Sequence, residues 1–234
     1  MRYLTILMIV LGIGCLGKKE QPNELTKAEA EEGWELLFDG VSTGGWHIYN
    51  KGEVPSAWTA IDGELVCRTG SDFPHGDLVS DKEYENFDLK FDWKITEGGN
   101  SGVFINVAEK PDNPTAWASG PEYQLLDFSH QDFEVTTKKT GGIFGFPWQG
   151  ADLKLEPAGQ WNHSRIKQQD GKVEFYLNGI LTTRQDFKAG EWPDMIAQTH
   201  FKNFPDFGRH TRGHIVLQDW AKGISFRNIK IKTL

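Results

Sequence analysis

Cysteine is almost missing from this chain: Cys15 and Cys67 are the only two in 234 residues. A disulfide-stapled scaffold and a Cys-rich zinc module are thereby excluded. The seven histidines, at 47, 75, 130, 163, 200, 210 and 214, are scattered without ligand spacing, so the sequence assigns no metal site and no cofactor. A divalent cation held by oxygens alone stays open. Positive charge is also scarce, 25 Lys and Arg against 33 Asp and Glu for a net charge of −8. Such a balance argues against a phosphate backbone as partner and hence against nucleic acid. No glycine-rich phosphate loop precedes a helix, and no G-x-S-x-G elbow is found. There is no repeat, no long amphipathic helix and no internal linker.

The first residues are of a different kind. Met1-Arg2, the apolar run from Tyr3 to Leu16 and then Lys18-Lys19 form a stretch too short to span a bilayer, with the charged and apolar regions of a secretion signal. Cys15 follows Leu11-Gly12-Ile13-Gly14, which resembles the lipobox of bacterial lipoproteins. The expectation is a signal at 1–14, lipidation at Cys15, a polar tether over 15–32 and a single domain over 33–234. The protein is then an exported lipoprotein of the periplasm or cell surface that touches membrane only through its lipid. Removal of the leader takes one Arg and no acid, leaving 24 basic against 33 acidic residues, or −9. Within the tether, Thr26-Lys27-Ala28-Glu29 reads as a capping box for a short helix near 27–32.

From Trp34 onward short strand-like runs alternate with turns, the rhythm of an all-β sandwich. Runs are expected at 34–38, 58–61, 64–68, 87–95, 103–107, 123–127, 142–146, 161–168, 173–177, 180–184, 214–219 and 224–232. The clearest is Phe87-Asp88-Leu89-Lys90-Phe91-Asp92-Trp93-Lys94-Ile95, apolar at every odd position and charged at every even one, with one face inward and one toward water. Asp62-Gly63, Asn178-Gly179 and Asp170-Gly171 mark tight hairpins. The stretches 108–120, 129–140 and 187–211 read as loops over one rim. Cys67 shares a face with Leu65 and is expected to be a small buried hydrophobe.

Pro121-Glu122-Tyr123-Gln124-Leu125-Leu126-Asp127, with Asn100-Ser101-Gly102-Val103-Phe104-Ile105 before it, carries the chemistry. Successive side chains of a strand point to opposite faces, so Glu122 and Gln124 project together, away from Tyr123 and Leu125. Nine tryptophans are present. Those at 117, 148 and 192 fall in expected loops, where aromatic faces beside carboxylates and amides suit a sugar ring. Trp148 is accordingly a candidate sugar platform. Ordinary glycoside hydrolysis needs two carboxylates. Here the second same-face position is Gln124, and Asp127 points the other way. A second polar comb follows in Gly213-His214-Ile215-Val216-Leu217-Gln218-Asp219-Trp220, where His214 and Gln218 share a face.

Trp34-x-x-Leu37-Phe38-Asp39-Gly40, Gly76-Asp77-Leu78, Asn100-Ser101-Gly102-Val103-Phe104, Glu122-Tyr123-Gln124-Leu125-Leu126-Asp127, Leu177-Asn178-Gly179, Gly213-His214-Ile215-x-Leu217-Gln218-Asp219 and Phe226-Arg227-Asn228-Ile229, in that order, resemble the bacterial 3-keto-disaccharide hydrolase domain from about residue 33 to the end. The resemblance implies a concanavalin A-like jelly-roll sandwich acting on glycosides already oxidised to a ketone at C3. Such a ketone acidifies the C2 hydrogen, so one base and an oxyanion site suffice for elimination of the C1 substituent, and water addition completes hydrolysis. On this reading Glu122 is the base and His214 the alternative base or the acid for the leaving oxygen. Asn100, Gln124, Gln218 and Arg165 bind hydroxyls or enolate. Relatives continue Gln-Asp with His-Gly, whereas this chain has Trp220-Ala221. Trp220 then extends an aromatic floor, and the alternatives are a lectin-like module that binds sugar without cleaving it, or a conventional glycoside hydrolase.

Overall fold

The computed structural model describes residues 21–70, 72–150, 153–220 and 222–234. The expected signal and Cys15 lie outside the described residues. In chain order the elements are α1 (Lys27–Glu31), β1 (Trp34–Leu36), β2 (Trp46–Ile48), β3 (Trp58–Ile61), β4 (Glu64–Cys67), β5 (Leu78–Tyr84), β6 (Phe87–Ile95), β7 (Asn100–Val107), β8 (Glu122–Leu126), β9 (Asn162–Gln169), β10 (Lys172–Leu177), β11 (Ile180–Asp186), α2 (Trp192–Ala197), β12 (Gly213–Leu217) and β13 (Ile224–Thr233), with 3₁₀ turns at Ala116–Ala118 and His200–Asn203. One sheet runs β11-β10-β9-β6-β13-β4-β3, with β1 also on β13; the other runs β2-β5-β12-β7-β8. The two sheets form a concanavalin-like jelly-roll β-sandwich. Among the described residues no helix is long and apolar enough to cross a membrane.

Alternation builds the core. Phe87, Leu89, Phe91, Trp93 and Ile95 of β6 meet Val103 and Ile105 of β7, Tyr123 and Leu125 of β8, and Ile215 and Leu217 of β12 between the layers. A polar strut crosses this apolar interior. Tyr123 Oη lies 2.9 Å from Ser164 Oγ and donates to the Tyr176 carbonyl at 3.1 Å, while the Trp93 indole N–H donates to Ser164 Oγ at 2.9 Å. One strand of the small sheet is thus tied to β9 and β10 of the large one.

Local turn chemistry follows the sequence. Asp62-Gly63, Asp170-Gly171 and Asn178-Gly179 all have positive φ at both residues, as type I′ hairpins require. The Thr26 and Glu29 capping box of α1 closes as expected.

Four expectations change. β2 and β5 were not anticipated, because β2 is three residues long and β5 carries Asp81, Lys82 and Glu83; pairing with β12 and with each other holds them in the sheet. The run 142–146 forms only an isolated bridge, Ile143 to Tyr123, rather than a strand. Trp192–Ala197 is helical inside the segment read as loop. Asp88 and Asp92 on the outer face of β6 are buried rather than solvated, because Arg165, His163, Arg227 and Asn228 cover them with hydrogen bonds.

Replacing Tyr123 by Phe removes the strut's hydroxyl and leaves one fewer partner for Ser164 in an apolar layer. Loss of one buried hydrogen-bonded hydroxyl is expected to cost about 1–2 kcal/mol, read as a lower urea midpoint at unchanged m-value.

Candidate functional site

The outer face of the small sheet carries the candidate site. In register, Gly102 of β7 pairs with Gln124 of β8, Phe104 with Glu122, and Asn100 with Leu126. On the other side of β7, the Gln218 backbone N–H donates to the Gly102 carbonyl at 2.9 Å. Gly102 is therefore flanked by the two glutamines, and its missing side chain leaves room for an acid. A Cβ at this position would stand 2.0 Å from Glu122 Oε1 and 2.7 Å from Glu122 Cγ and Cδ. The Glu122 carboxyl thus lies across Gly102, between Gln124 and Gln218. Gln124 Nε2 donates to Asn100 Oδ1 at 2.9 Å, which holds both amides in place.

The electrostatics of this face are unusual. Glu122 is buried, and its Oε1 has no hydrogen-bond partner. Burial holds the Glu122 carboxyl well above the ordinary carboxylate range, and the charge of Asp77 adds to the shift. Asp77 is itself pushed up to about 6, first by burial, while a hydrogen bond from the Asp219 backbone N–H pulls it down and the Asp219 charge raises it. The Asp219 carboxylate accepts from the Gly76 N–H at 2.9 Å and lies 2.7 Å from His75 Nδ1. Beside it sits Cys67, whose thiol is pushed strongly up by burial and then by Asp219 and Asp77. A cavity of about 40 Å³ opens here, with Cys67, His75, Asn100, Gln218, Asp219 and Trp220 on its wall. Trp220 is 67% exposed and forms the rim.

Glu122, Gln124, Asn100 and Gln218 therefore come together, with Trp220 at the rim. Two other candidates do not join them. His214 lies on the same face but at the far end of β12, where its Nδ1 contacts the Ser80 carbonyl and its ring meets His47 edge-on. An apolar patch of Tyr49, Val79, Phe104, Val107, Ala116 and Val216 covers the sheet at that end, because the 3₁₀ turn of 116–118 folds over it. Arg165 is on β9 of the opposite sheet, where it forms two hydrogen bonds to Asp88. Trp148 packs against Gly142, whose carbonyl accepts from the Gln124 backbone N–H at 3.1 Å, and against Gly150, so it stands at the free edge of β8 beside Gln124. The loop aromatic Trp192 is fully buried, stacked on Phe146. Asp127 accepts from the Gly98 and Ser129 N–H groups and the Ser129 hydroxyl. Burial raises its pKa, but these bonds outweigh it and leave the group below the usual range, as a turn brace.

Sequence reasoning passed over His75, while Cys67 is buried in the core as expected and its thiol also faces Asp219. Gly76-Asp77-Leu78 was visible as a motif. Nothing local, however, shows that residues 67, 75 and 219 meet.

The match between this chain and the model of the 3-keto-alpha-glucoside-1,2-lyase-like domain spans residues 33–232, nearly the whole sandwich. The chain belongs to that family. A 3-keto-disaccharide hydrolase of Bacteroides thetaiotaomicron is 29% identical over 231 aligned positions, covering 87% of this chain and 79% of the relative. A Parabacteroides distasonis crystal structure carrying a glycosyl hydrolase designation superposes with a TM-score of 0.82 at 34% identity, over 92% of this chain and all of the other. A second such structure from the same organism reaches 0.69 at 27% identity, covering 86% and 99%. A Bacillus subtilis protein with a galectin-like fold shares the architecture at 14% identity and a TM-score of 0.53, over 91% of this chain and 94% of the other.

Two outcomes follow from the geometry. Gly102→Ala pushes the Glu122 carboxyl off its seat, and overpacking of this kind costs about 1–3 kcal/mol; a lower thermal midpoint and loss of any Glu122-dependent activity are expected together. Glu122→Gln keeps the shape and removes a buried acid. Because the folded-state pKa lies above the unfolded one, native Glu122 binds a proton that the unfolded chain releases, so its stabilising effect is full below about pH 4.3 and is lost as pH rises toward the folded pKa. The variant should match the wild type in thermal midpoint near pH 4 and exceed it increasingly at higher pH, by roughly 2–4 °C for each kcal/mol in a domain of this size.

Proposed function

We propose that this protein cleaves 3-keto-disaccharides or related 3-keto-glycosides by elimination followed by hydration. The observation that carries the reading is the Glu122 carboxyl, buried over Gly102 with one oxygen unpartnered and flanked by Gln124 and Gln218. A carboxylate with a raised pKa is a stronger base than a solvated one, which is what removal of a carbon-bound proton demands. In this mechanism Glu122 takes the C2 proton, and the electron pair moves into a C2–C3 enolate, whose oxygen takes hydrogen bonds from the amides of Asn100, Gln124 or Gln218. The enolate then expels the C1 oxygen substituent, breaking the C1–O bond, and the leaving oxygen takes a proton. Water adds across the C1–C2 double bond of the resulting enone, so the net change is hydrolysis without redox.

The relative's name supports an oxidised disaccharide as substrate. Trp220 supports a second reading, binding without cleavage, since it stands at the rim where the resemblance expects histidine. Export and anchorage through Cys15 remain part of the proposal and rest on the leader sequence alone.

The decisive assay compares a 3-keto-disaccharide with its unoxidised parent. Turnover of the oxidised sugar only, reduced at least 10²-fold in Glu122→Gln with binding retained, is expected. Cleavage of the parent would point to a conventional glycosidase, and binding of both without turnover to a lectin-like module.

A further inference from the structure

Cys67, His75 and Asp219 come from three separate parts of the chain: the end of β4, the loop before β5 and the turn after β12. One ligand atom of each, the Cys67 sulfur, a His75 ring nitrogen and an Asp219 carboxylate oxygen, lies within 4.8 Å of the other two. Ligands of one tetrahedral zinc stand about 3.3–3.8 Å apart. The set is therefore close to that spacing, and His75 on its exposed loop is free to adjust to an ion. The neighbouring Gln218 lines the same small cavity, is buried, and has an Oε1 without a hydrogen-bond partner. Space of about 40 Å³ is enough for an ion or a single water.

The charge balance points the same way. Asp219 lines the cavity, Asp77 lies behind it and accepts from the Asp219 backbone N–H at 3.0 Å, and among the lining residues Lys222 is the only ammonium. A buried thiol beside carboxylates is disfavoured as thiolate, and a divalent ion reverses that preference. Thiolate, imidazole and carboxylate together select a borderline first-row metal such as Zn²⁺ over Mg²⁺ or Ca²⁺, which prefer all-oxygen shells.

We propose that Cys67, His75 and Asp219 form a transition-metal site of the zinc class, with Gln218 Oε1 as an additional oxygen ligand, at the edge of the Glu122 face. On binding, the Cys67 S–H bond breaks and its proton leaves to solvent as the sulfur–metal bond forms. The His75 to Asp219 hydrogen bond gives way to two metal bonds. Insofar as the elimination reading holds, the ion is placed to neutralise an enolate oxygen, but the site itself does not depend on that reading.

The test is spectroscopic and needs no substrate. Protein stripped with chelator and titrated with Co²⁺ should develop a thiolate-to-cobalt charge-transfer band that saturates at one equivalent and is displaced by Zn²⁺. Cys67→Ser should abolish the band. His75→Ala, on an exposed loop where folding is not at stake, should weaken binding about 100-fold or more, beyond the 10–100-fold typical of outer-shell partners. Absence of the band, or a band that survives Cys67→Ser and so arises from Cys15, overturns the site. If the metal binds but no 3-keto-glycoside is turned over, the site stands and the proposed reaction falls. If turnover persists in protein that develops no band on titration with Co²⁺, the reaction stands and the site falls.

Discussion

The face that Glu122 and Gln124 present is set by the residue between them. Tyr123 points into the sandwich, where its hydroxyl meets Ser164 and the Tyr176 carbonyl and its ring packs on Phe91 and Phe175. A slip of β8 by one residue would place that phenol on the outer face and drive two polar side chains into an apolar layer. The strut therefore does more than tie the sheets together, because it fixes the register that puts carboxylate and amide on the same side.

Against that register, Gly102 decides how closely the acid can approach the sheet. Glu122 is the diagonal neighbour of Gly102, close enough across the strands for a long side chain to reach, and its carboxyl bends back over the glycine, so any side chain at 102 would fill the place that it occupies. Lying flat on backbone, the carboxyl is shielded from water, and among the described residues no cation compensates it. Burial and the nearby Asp77 both disfavour its charged form. The fold thus carries an acid whose ionisation is expensive, which is a stability cost that a core of this size absorbs and a reactivity that a solvated glutamate lacks.

The same sheet holds two different surfaces. Toward β2 and the start of β12 the outer face is closed by the apolar cluster around Phe104 and Val216, and His214 joins His47 and Glu83 in a separate polar group beyond it. Toward β8 and the end of β12 the face is polar, with Asn100, Gln124, Gln218, Asp77 and Asp219. Six residues of alternation cannot show where such a division falls, since it depends on the 3₁₀ turn of 116–118 folding back over the sheet.

Much of the architecture was legible in the residues themselves. The period-two pattern of β6, the Asx-Gly hairpins and the capping box are local devices, and each determines its own geometry through steric and hydrogen-bonding rules that operate within a few residues. The same alternation determined that Glu122 and Gln124 share a face. Partners distant in sequence were another matter. Only the tertiary structure decided that Gly102 lies beneath Glu122, that Arg165 stands on the opposite sheet, and that Cys67, His75 and Asp219 meet, because β-sandwich pairing joins strands more than a hundred residues apart and no local pattern encodes which edges will touch.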